Sequence, residues 1–471
     1  MRRNTAFQPE REPFQDDDSL QLNNNKIRGP FSFLNPTQAH FEHVPNPKVE
    51  QAHAASEIDT TGHTGPSPNT IPSEDFAASN VTYKWTSRNN RKGRHAITVT
   101  PATDDNTVYA TPPPTNSGRA VLAGIWRMLT CYPFWDVSWL VAYVFTWGSV
   151  IWVINSFFSF LPFLQPSTDF NGETTFGGGI TAFIGATVFE VGSVLLMLEA
   201  VNENQSGCFG WAVEQVYDEH FRHDGGEGTG YKMRPERESC SHHHTNTSNL
   251  VGRSTKISQE KDSIVSQPLS TKSRPAQSPS TNPQPTDSSS NPVAPAPGPS
   301  SETSSSKKSW VWFPSATDLQ AHYFHDLGFI ACISQLLGAS IFWIAGLTAL
   351  PGIFDQLTTP AKINGAYWAP QVIGGAGFVV SGTLFMLETQ EHWWKPAPKV
   401  LGWHIGLWNL VGGIGFTLCP IFGFSTSHWA QFQAGCSTFW GSWAFLIGSC
   451  IQWYESLEKY PVTVVKEQDQ E

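Results

Sequence analysis

Residues 177–199 read GGGITAFIGATVFEVGSVLLMLE, an apolar run without Lys or Arg. A helix needs about 20 residues to cross a hydrocarbon core of roughly 30 Å, and this run supplies them. Within it Gly185 is followed seven residues later by Gly192-Ser193, and Glu199 comes seven after that. The spacing returns in Gly374, Ser381-Gly382 and Glu388, and again in Gly441, Gly448-Ser449 and Glu455. Three copies of one spacing in membrane-length segments predict a repeated unit in lipid. Seven residues is about two helical turns, so the small residues of each copy share a face. Such a strip lets a neighbouring backbone approach, which is how helices associate where lipid tails are as apolar as leucine. Gly185, Gly192, Gly374, Ser381, Gly441 and Gly448 are therefore expected to pack helices.

Outward from that stretch, six segments reach membrane length, near 137–160, 177–199, 327–350, 367–388, 401–424 and 435–455. The predicted fold is all-α: a polytopic membrane protein with six transmembrane helices arranged as three parallel helical-hairpin repeats. The units fall at 119–221, 309–399 and 400–458. The first helix of each carries Ser149-x-x-Trp152, Ser340-x-x-Trp343 or Gly413-x-x-Phe416. Residues 1–118 and 222–308 are polar and rich in Ser, Pro, Thr and Asn. They predict a disordered arm and linker, because such composition buries too little apolar area to offset chain ordering. Residues 459–471 form a short tail.

Basic residues give the orientation. The connections after the first, third and fifth spans contain Lys362 and no other Lys or Arg, whereas Arg119, Arg127, Arg222, Lys232, Lys395, Lys399, Lys459 and Lys466 flank the other ends. The positive-inside rule then puts both termini and the linker in the cytosol, in a plasma or secretory-pathway membrane. The polar start Met1-Arg2-Arg3-Asn4 offers no cleavable signal. Residues 119–129, with Val121, Leu122, Ile125 and Leu129 on one face between two arginines, predict an interfacial helix. Residues 209–221 predict a juxtamembrane one.

The carboxylates are the candidate chemistry. Glu190 lies inside its span, where an ionisable group costs at least ~2.5 kcal/mol, and Asn155, Gln335 and Asn409 are its polar candidates for partners. It reads either as a functional intramembrane carboxylate or as interhelical glue. Glu199, Glu388 and Glu455, with Asp136 and Asp326, fall at one membrane face and predict a carboxylate ring. That ring reads either as a cation-attracting mouth or as helix ends anchored by nearby cations. No catalytic residue or cofactor is indicated: His-Glu-x-x-His, a Gly-x-x-x-x-Gly-Lys loop and paired intramembrane aspartates are all missing from the sequence. No metal site is expected either, since Cys240 with His242, His243 and His244 sits in the linker without a frame. Cys419 and Cys436 stand near one another for a conceivable disulfide. The net charge of −11 and the lack of an aromatic-interleaved basic stripe exclude nucleic acid as a partner class. Expected partners are the lipid bilayer and cytoplasmic proteins or kinases acting on 1–118 and 222–308, at sites such as Ser67-Pro68 and Ser278-Pro279. The sequons at Asn80 and Asn246 fall on the cytosolic side.

Trp147-Gly148-Ser149, Glu190-Val191-Gly192-Ser193 and Phe445-Leu446-Ile447-Gly448-Ser449 resemble the YrhK-like family of two-helix membrane modules, over the spans only. The whole chain looks like uncharacterised fungal integral membrane proteins. Neither resemblance implies an activity. The functional expectation is a structural or regulatory membrane scaffold or sensor, the alternative a small-solute or ion transporter or channel using Glu190 and the acidic mouth.

Overall fold

Six long helices close into a ring: α3 (Val137–Leu164), α4 (Gly179–Val201), α5 (Leu327–Thr348), α6 (Ala369–Glu388), α7 (Leu401–Gly423) and α8 (His428–Leu457). Each packs on its sequence neighbours, and α8 closes on α3. The structure, a computed structural model, describes residues 9, 20–43, 79–101, 109–110, 114–213, 252–253 and 310–464. These all belong to one unit; the linker expected at 222–308, with Cys240 and its histidines, Asn246 and Ser278, lies outside the described residues apart from 252–253, as do Ser67 and most of the arm. Starts are set locally: the side chains of Asp136, Asp326 and Ser427 accept hydrogen bonds from the backbone N–H groups of Ser138, Phe329 and Ala430. Among the described residues five helices are long and apolar enough to cross a membrane: α3, α5 and α7, with α4 and α6 counted from Glu173 and Pro360. The longest, α8, is less apolar, with Gln431, Gln433 and Gln452 along its length.

The ring encloses aromatic side chains in two stacked triads. Trp152, Phe342 and Phe416, each sixteenth in its helix (α3, α5, α7), have ring centroids 5.7, 4.9 and 5.6 Å apart. Phe189, Phe378 and Phe445, each four residues past Gly185, Gly374 or Gly441, meet at 6.3, 5.5 and 6.0 Å. Most of these pairs are edge-to-face, the arrangement the ring quadrupole favours. The expected Ser340–Trp343 counterpart of Ser149–Trp152 is off by one position. Ala339 and Phe342 face the axis, while Trp343 turns about 100° away, as one residue of helix requires, and donates from Nε1 to Thr187 Oγ1 at 3.0 Å.

The small residues pack as their spacing predicts. A Cβ on Gly374 would stand 2.6 Å from the Gly338 carbonyl oxygen, and one on Gly441 3.2 Å from that of Gly412, so α5 meets α6 and α7 meets α8 backbone to backbone. Gly185 faces the Trp152 indole, Gly192 the Phe145 ring, and Gly448 the Trp408 Cβ. Ser381 is fully buried.

Two expectations fail here. The fold is not all-α, and the arm is not wholly disordered. Strands β1 (Leu20–Leu22), β2 (Gln38–His43), β3 (Ser79–Thr86), β4 (Ile97–Pro101) and β5 (Val462–Val464) form one sheet in that order, antiparallel except for the β4–β5 pair. Its buried face comes from alternate positions, Ala39 and Phe41, Tyr83 and Trp85, Ile97 and Val99, with Val462. That period of two is the strand signature, hidden in the sequence by the polar residues around it. Helix α2 (Gly118–Thr130) follows as expected: Gly124 packs on Tyr454, while Leu122, Trp126 and Leu129 stay exposed. The predicted juxtamembrane helix is helical over 209–213, and the rest of it lies outside the described residues.

Candidate functional site

The chain between β3 and β4, Thr86 to His95, carries four cations in ten residues. Helix α1 (Ser87–Arg91) is capped by Thr86, whose hydroxyl accepts from the Asn89 N–H, and is stopped by Gly93 at φ +59°, a left-handed turn that glycine makes without a Cβ clash. Arg88 and Arg91 stand three residues apart on one side of that turn of helix. Lys92 and Arg94 follow it. All four enter the end of the ring where the glutamate-bearing helices finish.

There each glutamate meets a cation. The Arg91 guanidinium grips Glu388 with both nitrogens, Nη1 to Oε1 at 2.6 Å and Nη2 to Oε2 at 2.9 Å. Its Nε lies 3.6 Å from Glu199 Oε1, and Lys92 Nζ lies 3.2 Å from the same oxygen. Arg88 donates through Nε and Nη2 to Glu455 at 3.3 and 2.7 Å, and Arg94 adds Nη1 at 3.1 Å. Ser87 Oγ donates to Glu388 at 3.1 Å. Glu199, Glu388 and Glu455 are 0, 1 and 2 % exposed. Buried this deeply, charges are tolerable only when paired and hydrogen-bonded; Glu388 and Glu455 are both, whereas Glu199 has its two ion pairs and no hydrogen bond to either oxygen. Burial works against the Arg91 charge, but the Glu388 and Glu199 carboxylates more than offset it and hold the guanidinium well above its ordinary range. Burial dominates at Lys92 and pulls its ammonium down, with Glu199 opposing.

Glycines make the space. A Cβ on Gly328 would strike Arg91 Nη1, and one on Gly402 would strike Arg88 Nε. Both glycines are the second residue of their helices, α5 and α7, so two helices admit an arginine at matching positions. Backbone bonds fasten the same segment: Asn204 N–H to Asn90 O at 2.8 Å, and His95 N–H to Lys459 O at 2.8 Å.

The predicted ring of five carboxylates is thus resolved into three roles, and an open acidic mouth is excluded because cations fill it. Glu199, Glu388 and Glu455 form the buried latch. Asp136 caps α3 and takes Lys459 Nζ at 2.6 Å. Asp326 caps α5, and burial, with Glu203 and Glu388 adding and Arg91 opposing, pushes its carboxyl up to about 7. A carboxyl raised above its usual value holds a proton in the folded protein that a solvated one has lost. The folded protein is therefore favoured at acid pH by this group, and the gain is lost as pH rises through about 7. Thermal stability in nanodiscs should fall between pH 5 and pH 8, and Asp326→Asn should flatten that dependence.

The four residues expected to form an intramembrane polar site do not meet. Gln335 and Asn409, with Gln452, line a cavity of about 30 Å³ between the latch and the aromatic triads, room for about one water. Asn155 lies beyond the triads, donating from Nδ2 to Gly178 O at 2.7 Å and to Thr181 Oγ1 at 2.9 Å. Glu190 stands off the axis on the α4–α5 seam, where Ser340 Oγ donates to Oε1 at 2.8 Å. An amide keeps that acceptor, so Glu190→Gln should shift thermal stability in nanodiscs by no more than the ~1 kcal/mol of one hydrogen bond.

Cys419 and Cys436 are both free thiols, so the conceivable disulfide between them is not formed. Sequence reasoning missed the four cations, although Arg88, Arg91, Lys92 and Arg94 are legible as a basic cluster between two alternating apolar runs. Comparison with protein-family models, with curated proteins and with solved structures returns no match.

Proposed function

We propose that the protein is a regulatory membrane scaffold or sensor whose helical bundle is read by the α1 segment. In this reading six spans form three like-oriented hairpins in a plasma or secretory-pathway membrane, α8 included, with both termini and the latch in the cytosol. The hairpins are copies of one unit, resembling the YrhK-like module, as the matched positions of the aromatic triads and glutamates support. The protein is not an enzyme and holds no cofactor.

One observation carries the reading: a single ten-residue segment binds Glu199 of the first hairpin, Glu388 of the second and Glu455 of the third. Any displacement of one hairpin against the others must break or re-form an ion pair, so the segment responds to the geometry of the whole bundle. Release of the segment would uncover the sheet, and cytosolic partners or kinases would act on the chain at 1–118 and 222–308. The test is cross-linking. Cysteines placed at Asn90 and Glu203, whose side chains are hydrogen-bonded at 2.9 Å, should link in the resting protein, in a background lacking the reactive native thiols, and fail to link in Arg88→Glu/Arg91→Glu. Equal linking in both would end the proposal.

A transport reading draws on a different observation. A cavity of about 500 Å³ at the far end, the triads, the small polar cavity and the latch follow one another between the same six helices. Solute or ion flux in reconstituted vesicles, increased by charge reversal at Arg88 and Arg91, would favour it over sensing.

A further inference from the structure

We propose that the cavity at the end of the bundle away from the glutamates is a binding site for a neutral, ring-bearing amphiphile of drug to sterol size. Its volume, about 500 Å³, falls within the 300–1,000 Å³ typical of small-molecule sites. All six long helices contribute to its wall. The proposal concerns residues separate from the latch and stands whether or not the sensor reading does.

The lining sets the ligand class. Trp152, Phe342 and Phe416 make the floor, and Tyr367 and Trp368 belong to the side wall, so the surfaces offered are flat and aromatic. Flat faces stack best on a rigid ring system. Among the described lining residues the ionisable carboxylate is Asp169, exposed at the rim, and no Lys, Arg or His lines the cavity. An anionic ligand would lose its hydration and gain no counter-charge. The oxygens of Asn155 and Thr438, whose hydrogens are already donated within the protein, can accept from a ligand hydroxyl, and the Gln371 amide can also donate to a ligand hydroxyl or carbonyl.

The backbone is shaped around the space. Both α4 and α6 are entered through π-helical turns, Glu173–Gly178 and Asn364–Trp368, and both turns contribute to the wall. Such wide turns sacrifice regular helix geometry and recur at functional sites. Gly178, on the wall and buried, is the counterpart of a filled position: a Cβ built there meets nothing within 4 Å. A side chain at 178 would start into open space on the cavity wall.

That glycine supplies the test. Full-length protein is captured on scintillation-proximity beads and titrated with tritiated cholesterol as the neutral ring probe, then competed with unlabelled cholesterol or with palmitate. Saturable binding displaced by cholesterol and not by palmitate is expected, and Gly178→Leu should weaken it by about tenfold or more, which is 1.4 kcal/mol or greater. Gln371→Leu serves as a second variant should Gly178→Leu fail to elute as the wild-type species. Non-saturable uptake, equal affinity in a variant that assembles normally, or equal displacement by palmitate, which would mark an acyl-chain groove, would each overturn the proposal.

Discussion

Arg91→Met is expected to destabilise the docked protein by about 3–5 kcal/mol, because it leaves Glu388 charged, fully buried and without its two-nitrogen grip. Glu388→Met should cost a similar amount by stranding the guanidinium. The double variant Arg91→Met/Glu388→Met should recover part of the loss, since two apolar side chains strand no charge at position 388, while Glu199 keeps Lys92 alone of its two cations. Thermal unfolding in nanodiscs, followed as a double-mutant cycle, reads the coupling directly. Two single losses that simply add in the double variant would show that the pair is not coupled. Gly328→Val should reproduce the Arg91→Met phenotype with every charge still present, because its Cβ takes the guanidinium's place.

The second large effect is at the triads. Phe445→Ala removes a buried ring that meets Phe189, Phe378 and Phe416 edge-on, and should cost about 3–5 kcal/mol. Phe189→Ala and Phe378→Ala should fall within the same range, for all three stand four residues past the small residue of their repeat. Trp343→Ala, of larger volume but on the half-buried seam, should cost less. A ranking with Trp343 first would mean that the triads are not the centre of the packing. The same melts, run on the four variants, settle the order.

The bundle was legible because its signal is periodic and lipid leaves few alternatives. Gly185, Gly374 and Gly441 with their glutamates fix which faces turn inward, and the aromatic triads follow from those faces. The sheet was not legible, since its buried alternation of Tyr83 and Trp85 with Ile97 and Val99 is only two or three residues deep per strand, set in polar sequence. Its closing strand, Val462–Val464, lies some 360 residues from β4, a pairing no local pattern announces. The same distance hid the latch. Glu199, Glu388 and Glu455 were visible as helix-end carboxylates that needed an explanation, but the cations that provide it come from a segment whose composition reads as disordered. Glu190 drew attention as an ionisable residue inside a span; its position one residue from Phe189 turns it off the axis, where Ser340 donates to Oε1 and Oε2 is buried without a hydrogen-bond partner.

The parallel pairing of Val462–Val464 with Ile97–Val99 also imposes an order of events during synthesis. The basic segment emerges from the ribosome before any span, yet its seat includes Glu455 and Lys459, and the strand that completes the sheet is made last. The early cations therefore meet their full set of partners only after all six helices of the ring have been made. Truncation just short of residue 462 should leave the helices made and the sheet without its closing strand.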